Sequence, residues 1–173
     1  KNVIDKEIQS LKKLKNNINI SFEKAVEAIL NCKQGKIVIS GTGKSGIIGK
    51  KISSTFSSVG IPSFFVDAGA CSHGDLGVIG SNDVVILISR SGESQELKNI
   101  IQYTKRNKKI TLIGIVSKKN SILYKASDIK LFIPEVKEAG LGIVPTSSTT
   151  ESLAIGDCLA VAALNKKGFN KKN

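Results

Sequence analysis

The 173-residue chain contains no methionine and no tryptophan, only three prolines and one histidine, and aromatic residues make up 5% of it. Each scarcity excludes something. Sparse aromatics that do not interleave with basic residues leave no stacking platform for nucleic acid, despite a net charge of +12. The lysines are scattered, at Lys12, Lys13 and Lys15, at Lys50 and Lys51, from Lys105 to Lys109, and at Lys118 and Lys119. They read as a solvated surface whose field helps draw in an anionic ligand, and no nucleic-acid partner is expected. No apolar run reaches the roughly 18 residues of a membrane span, so no membrane partner is expected either. Lys1 to Lys15 mix charged and apolar residues and do not form the apolar stretch of a secretory leader. The cysteines Cys32, Cys71 and Cys158 are odd in number and lack CxxC spacing. That speaks against a disulfide framework or a structural zinc site and for a reducing, cytoplasmic compartment. Cys158 is expected as a buried small residue of a helix, and Cys71 in a loop near the site. With no methionine at position 1, the chain reads as a piece of a longer product.

What is present is a periodic pattern. Val3, Ile4, Ile8, Leu11, Leu14 and Ile18 recur at helical spacing, as do Phe22, Ala25, Val26, Ile29 and Leu30, with Ser21 as the expected N-cap. After Gly35 the period changes. Short β-branched runs occupy 36–40, 63–66, 84–89, 110–116 and 129–133, several of them continuously apolar, as in strands covered on both faces. Helical segments are predicted at 45–59, 93–107, 121–126 and 148–167, the last turning Leu153, Ile155, Leu159, Ala160, Ala163 and Leu164 inward. Strand–helix alternation with five strands predicts an α/β fold: a three-layer αβα sandwich around a five-stranded parallel sheet, with ligands at the carboxyl ends of the strands. Residues 1–33 add two helices to that single domain.

Four loops carry the chemistry. Gly41-Thr42-Gly43-Lys44-Ser45-Gly46 follows the first strand as a GxGxxG turn, which presents backbone N–H groups and a helix N-terminus to an anion. Alone it fits a phosphate or a dinucleotide, with Asp67 available as a ribose acid. Ser89-Arg90-Ser91-Gly92-Glu93-Ser94-Gln95-Glu96 decides between them: hydroxyls at 89, 91 and 94 bracket a glycine where a helix begins, which suits a phosphate monoester. Pro145-Thr146-Ser147-Ser148-Thr149-Thr150 is a second hydroxyl cluster ahead of a helix. Ser72-His73-Gly74-Asp75-Leu76-Gly77 holds the one histidine between polar and glycine neighbours, where a core role is not expected. Lys137-Glu138 places a carboxylate beyond the fifth strand. All are expected at one rim of the sheet.

The segments GTGKSG, FFVDAGACSHGDLG, SRSGESQE and KEAGLGIVPTSSTTESLAIGDCLA, with the closing KKGF, resemble the sugar isomerase (SIS) domain of arabinose 5-phosphate isomerases, from about Ala25 to Phe169. The resemblance implies a flavodoxin-like sheet, a homotetramer, and interconversion of ribulose 5-phosphate and arabinose 5-phosphate. It implies that Gly43, Ser45, Ser89, Ser91 and Ser94 hold the phosphate with Ser147 and Thr149 nearby, and that Lys44, Glu96, Glu138 and His73 are catalytic. Aldose–ketose isomerisation moves a proton between C1 and C2 through an enediol. Glu138 or Glu96 is the expected base if desolvation raises its pKa, with Lys44 steadying the enediolate oxygen or the phosphate. His73 assists ring opening or orients a hydroxyl. No metal or organic cofactor is expected. Two departures stand out: members of the branch continue past the GF dipeptide with a further histidine segment and paired CBS domains, and they often carry histidine-proline and glutamate where this chain has Asp67-Ala-Gly-Ala70. Two other readings are a non-catalytic sugar-phosphate sensor and a nicotinamide oxidoreductase.

Overall fold

The computed structural model describes residues 1–168; Phe169, the end of the resembling stretch, lies outside them. Helices α1 (Asn2–Asn17) and α2 (Ile20–Asn31) lead into β1 (Ile37–Gly41), α3 (Gly43–Ser58), β2 (Ser63–Asp67) and the short α4 (Ala68–Cys71). Then follow β3 (Val84–Ser89), α5 (Leu97–Arg106), β4 (Thr111–Val116), α6 (Ile122–Ala126), β5 (Ile129–Phe132) and α7 (Ser147–Lys166). The five strands pair in the order β2-β1-β3-β4-β5, all parallel. This is the doubly wound order with its reversal between β1 and β3, where a crevice opens beyond the strand ends.

The apolar strands are explained by their two covers. Ile37, Ile39, Ile86, Ile88, Ile113 and Ile115 pack against Ile52 and Phe56 of α3, Ile155 and Leu159 of α7, and the helices α1 and α2. The alternate residues Val38, Val85, Leu87 and Leu112 face Leu97 and Ile100 of α5 and Leu123 of α6. Strand side chains alternate between faces, so a strand covered on both sides must be apolar throughout. α7 lies against α1, α2 and α3 and closes one layer.

Three local expectations are corrected. Asn19, not Ser21, caps α2: its side chain accepts from the Ser21 N–H at 2.9 Å. α5 begins at Leu97 rather than Glu93, because the Gly92 and Glu93 N–H groups bond to the hydroxyls of Ser89 and Ser91 instead of entering a helical ladder. Cys158 is exposed. It stands off the stripe of Glu151, Ile155, Leu159 and Ala163 that α7 buries, and an apolar residue on every side of a helix hides which face is the inner one.

Candidate functional site

The turn after β1 needs its glycines for space and for conformation. Gly43 has φ 54°, the left-handed region, and a Cβ on Gly46 would lie 2.8 Å from the Gly41 carbonyl oxygen. α3 therefore starts tight against β1 and brings Thr42, Lys44 and Ser45 to the rim. After β3 the chain turns on Gly92 (φ 67°), and a Cβ there would collide with the Ser121 hydroxyl. The Ser89 hydroxyl accepts from the Gly92 N–H at 3.0 Å and lies 3.1 Å from the Ser94 hydroxyl. The serines are thus fixed by their own backbone.

These turns meet. A cleft of about 710 Å³ is lined by Thr42, Lys44 and Ser45 after β1, by Ser89, Arg90, Ser91 and Ser94 after β3, and by Lys118 after β4. Glu135, Val136 and Lys137 after β5, with Pro145 and with Ser148, Thr149 and Ser152 of α7, complete the wall. The 89–94 and 145–152 segments share one rim at the switch point, as the sequence predicts. Four cationic side chains face one carboxylate, and hydroxyls fill the space between them. Such a lining suits a dianionic phosphate on a polyhydroxylated ligand.

The sequence-named residues divide. Lys44, Ser45, Ser89, Ser91, Ser94 and Thr149 line the cleft. Gly43 shapes its turn. Ser147 is fully buried, with its hydroxyl unpartnered among the described residues. Glu96 is exposed at the start of α5, and His73 is exposed in the loop after α4; neither is in the lining. Cys71 is a buried residue of α4, its thiol pushed up to about 11 by burial and by Asp75 and Asp67. Asp67, the alternative ribose acid, is engaged otherwise: its carboxylate accepts from the Gly69 and Ala70 N–H groups and caps α4.

Glu138 departs from the expectation of a base with a raised pKa. It is only 5% exposed, and its Oε2 accepts from the backbone N–H groups of Thr146 (2.8 Å) and Ser148 (3.2 Å) and from the Thr146 hydroxyl (3.2 Å). Its Oε1 lies 3.0 Å from Arg90 Nη1. Burial alone would raise the carboxyl, but the bonds from Ser148 and Thr146 and the Arg90 charge outweigh it and hold Glu138 below the ordinary range. It is an ionised carboxylate that caps α7 and tethers Arg90, whose Nη2 also donates to the Val136 carbonyl at 2.9 Å.

The carboxyl with the raised pKa is Glu151. It is fully buried in α7, and neither oxygen has a hydrogen-bond partner among the described residues. Burial first, then the charge of Glu138, push it up to about 7 against the opposing pull of Lys13 and Arg90. A glutamate in an amphipathic segment reads as solvated, so nothing in the sequence singled it out. Arg90 and Ser148 were in view within their motifs, and only the geometry places both in the wall.

Fold and cleft together define a doubly wound α/β domain with a cationic, hydroxyl-lined cleft at its switch point. The chain belongs to the SIS domain family, whose model matches residues 29–162. It is 48% identical to arabinose 5-phosphate isomerase KdsD of Yersinia pestis over 174 residues, covering 100% of this chain and 52% of that protein. With KdsD of Francisella tularensis it shares 47% identity over 170 residues, 96% of this chain and 52% of that one. The chain thus spans about half the length of these curated relatives. Among solved structures, an Escherichia coli CFT073 protein in complex with arabinose 5-phosphate superposes with a TM-score of 0.92 at 36% identity, covering 99% of this chain and 90% of that one. No described helix is long and apolar enough to cross a membrane.

Proposed function

We propose that the chain is a sugar-phosphate isomerase that interconverts ribulose 5-phosphate and arabinose 5-phosphate through an enediol, serving synthesis of Kdo for lipopolysaccharide, or of capsule. The observation that carries this reading is the convergence of the Ser89–Ser94 turn, the α7 N-terminus and Lys44 on one cationic, hydroxyl-rich cleft. The kinship with arabinose 5-phosphate isomerases narrows the sugar. Ser45, Ser89, Ser91, Ser94 and Thr149 hold the phosphate, with Gly43 and Ser147 shaping the two helix starts around it. Remote binding of that group aligns the reacting carbons. Lys44 stabilises the enediolate oxygen or the phosphate, the proton passes through Glu138 or Glu96, and His73 assists ring opening or orients a hydroxyl. Residues 1–173 act as one SIS domain with 1–33 as its N-terminal helices, in the cytoplasm and as a homotetramer. The exposed Leu141 (92%), Ile143 (78%) and Val144 (57%) support assembly.

Turnover of ribulose 5-phosphate, followed by appearance of arabinose 5-phosphate, tests the assignment. Lys44→Ala should slow it roughly 100-fold while leaving the fold intact by circular dichroism. A second reading, a sugar-phosphate sensor without turnover, is favoured by the exposure of Glu96 and His73 outside the cleft wall. Tight binding of arabinose 5-phosphate with no isomerisation would select it.

A further inference from the structure

Glu151 has no part in the chemistry above, yet it is a fully buried carboxyl with both oxygens unpartnered among the described residues. An ionised carboxylate in that setting is strongly disfavoured, whereas a protonated one is tolerated. Its charged surroundings come from three directions: Lys13 of α1, Arg90 from the turn after β3, and Glu138 from the segment before α7. The other two helices packed on α7 contribute no comparable partner. Glu23, Lys24 and Glu27 of α2 are exposed, and Lys51 of α3 is held by Asp157, six residues farther along α7. Ser148 and Ser152, three residues before Glu151 and one after it on the same helix, line the cleft, whereas Glu151 itself is buried and does not. Arg90 lines the cleft while its guanidinium is paired with Glu138, and its charge also acts on Glu151.

We propose that Glu151 is a positioning residue that sets, through Arg90, how tightly the cleft holds a phosphate. The proposal rests on the phosphate-binding reading of the cleft. With Glu151 protonated, the guanidinium is shared by Glu138 and the bound phosphate. With Glu151 ionised, two carboxylates compete for the same cation and a second negative charge stands behind a dianionic ligand. Binding therefore weakens as pH rises through neutrality. The ligand's own second ionisation lies near pH 6, so above about pH 6.5 it is mainly a dianion, and its remaining titration is the same for every protein compared.

The test is calorimetric titration of the whole chain with arabinose 5-phosphate from about pH 6.5 to about pH 8.5. The dissociation constant of the unaltered protein should rise roughly threefold to tenfold across that range, and that of Glu151→Gln should stay flat. The infrared carbonyl band of a protonated carboxyl should be present at the acid end and missing from Glu151→Gln. Should the glutamine variant fail to fold, Glu151→Leu is held to the same two outcomes. Parallel curves for the two proteins, or no difference in the carbonyl band, would overturn this role while leaving the phosphate site standing. No binding by the unaltered protein at any pH would bring down the site and this role together.

Discussion

Two glutamates thirteen positions apart receive opposite treatment from the fold. Glu138 is surrounded by donors, and its carboxylate accepts the N–H groups that the first turn of α7 would otherwise leave open. Glu138→Ala should therefore lower stability by about 2–3 kcal/mol in urea denaturation, because the buried Ser148 N–H, the half-buried Thr146 N–H and Arg90 lose their acceptor together. Glu151 is buried without donors. Its folded pKa, about 7, lies above the ordinary 4.5, so the folded state keeps a proton that the unfolded chain has released. The resulting penalty is absent at low pH, grows as pH rises from 4.5 toward 7, and then levels off. Glu151→Gln should accordingly stabilise the protein more at about pH 8 than at about pH 4.5, by a difference on the order of 2 kcal/mol. Thermal melts of both proteins at the two pH values check it, and equal shifts at both would contradict it.

At the scale of elements, the turn after β3 is the most constrained piece of the site. Gly92 combines φ 67° with a neighbour, Ser121, that leaves no space for a Cβ. Gly92→Ala should cost at least about 2 kcal/mol and displace the Ser89–Ser94 hydroxyls, so that phosphate affinity falls along with the melting temperature. The five strands, their parallel pairing and the rim they share were legible in the sequence, because a strand covered on both faces has no freedom to be polar. Helix starts were less legible. A helix can be opened by any nearby side chain that satisfies its N–H groups, and here Asn19 does so for α2 and Glu138 for α7, the latter from eight residues before Thr146. For the same reason the hydroxyl clusters named loops that do line the cleft, but the residue singled out was Ser147, which is buried away from it, and not Ser148, which is in the wall. Arg90 lay unremarked between two serines that the phosphate reading named, since its pairing with Glu138, 48 positions away, is visible only in the fold.

Taken as a whole molecule, the domain hangs its cleft on segments distant in sequence, and α7 ties them together. Its first turns wall the cleft, while its length lies along α1, α2 and α3. Such a helix behaves as a strut: whatever steadies one end is felt along its full span. Filling the cleft with arabinose 5-phosphate should therefore slow amide hydrogen exchange along all of α7 and in the facing turns of α1, well beyond the residues that touch the sugar. Protection restricted to residues 146–152 would mean instead that the helix frays independently of its tip. In the first case, occupancy of a small crevice is broadcast to the outer surface of α1, where the exposed side chains of Val3, Ile4 and Ile8 would be the first to register it.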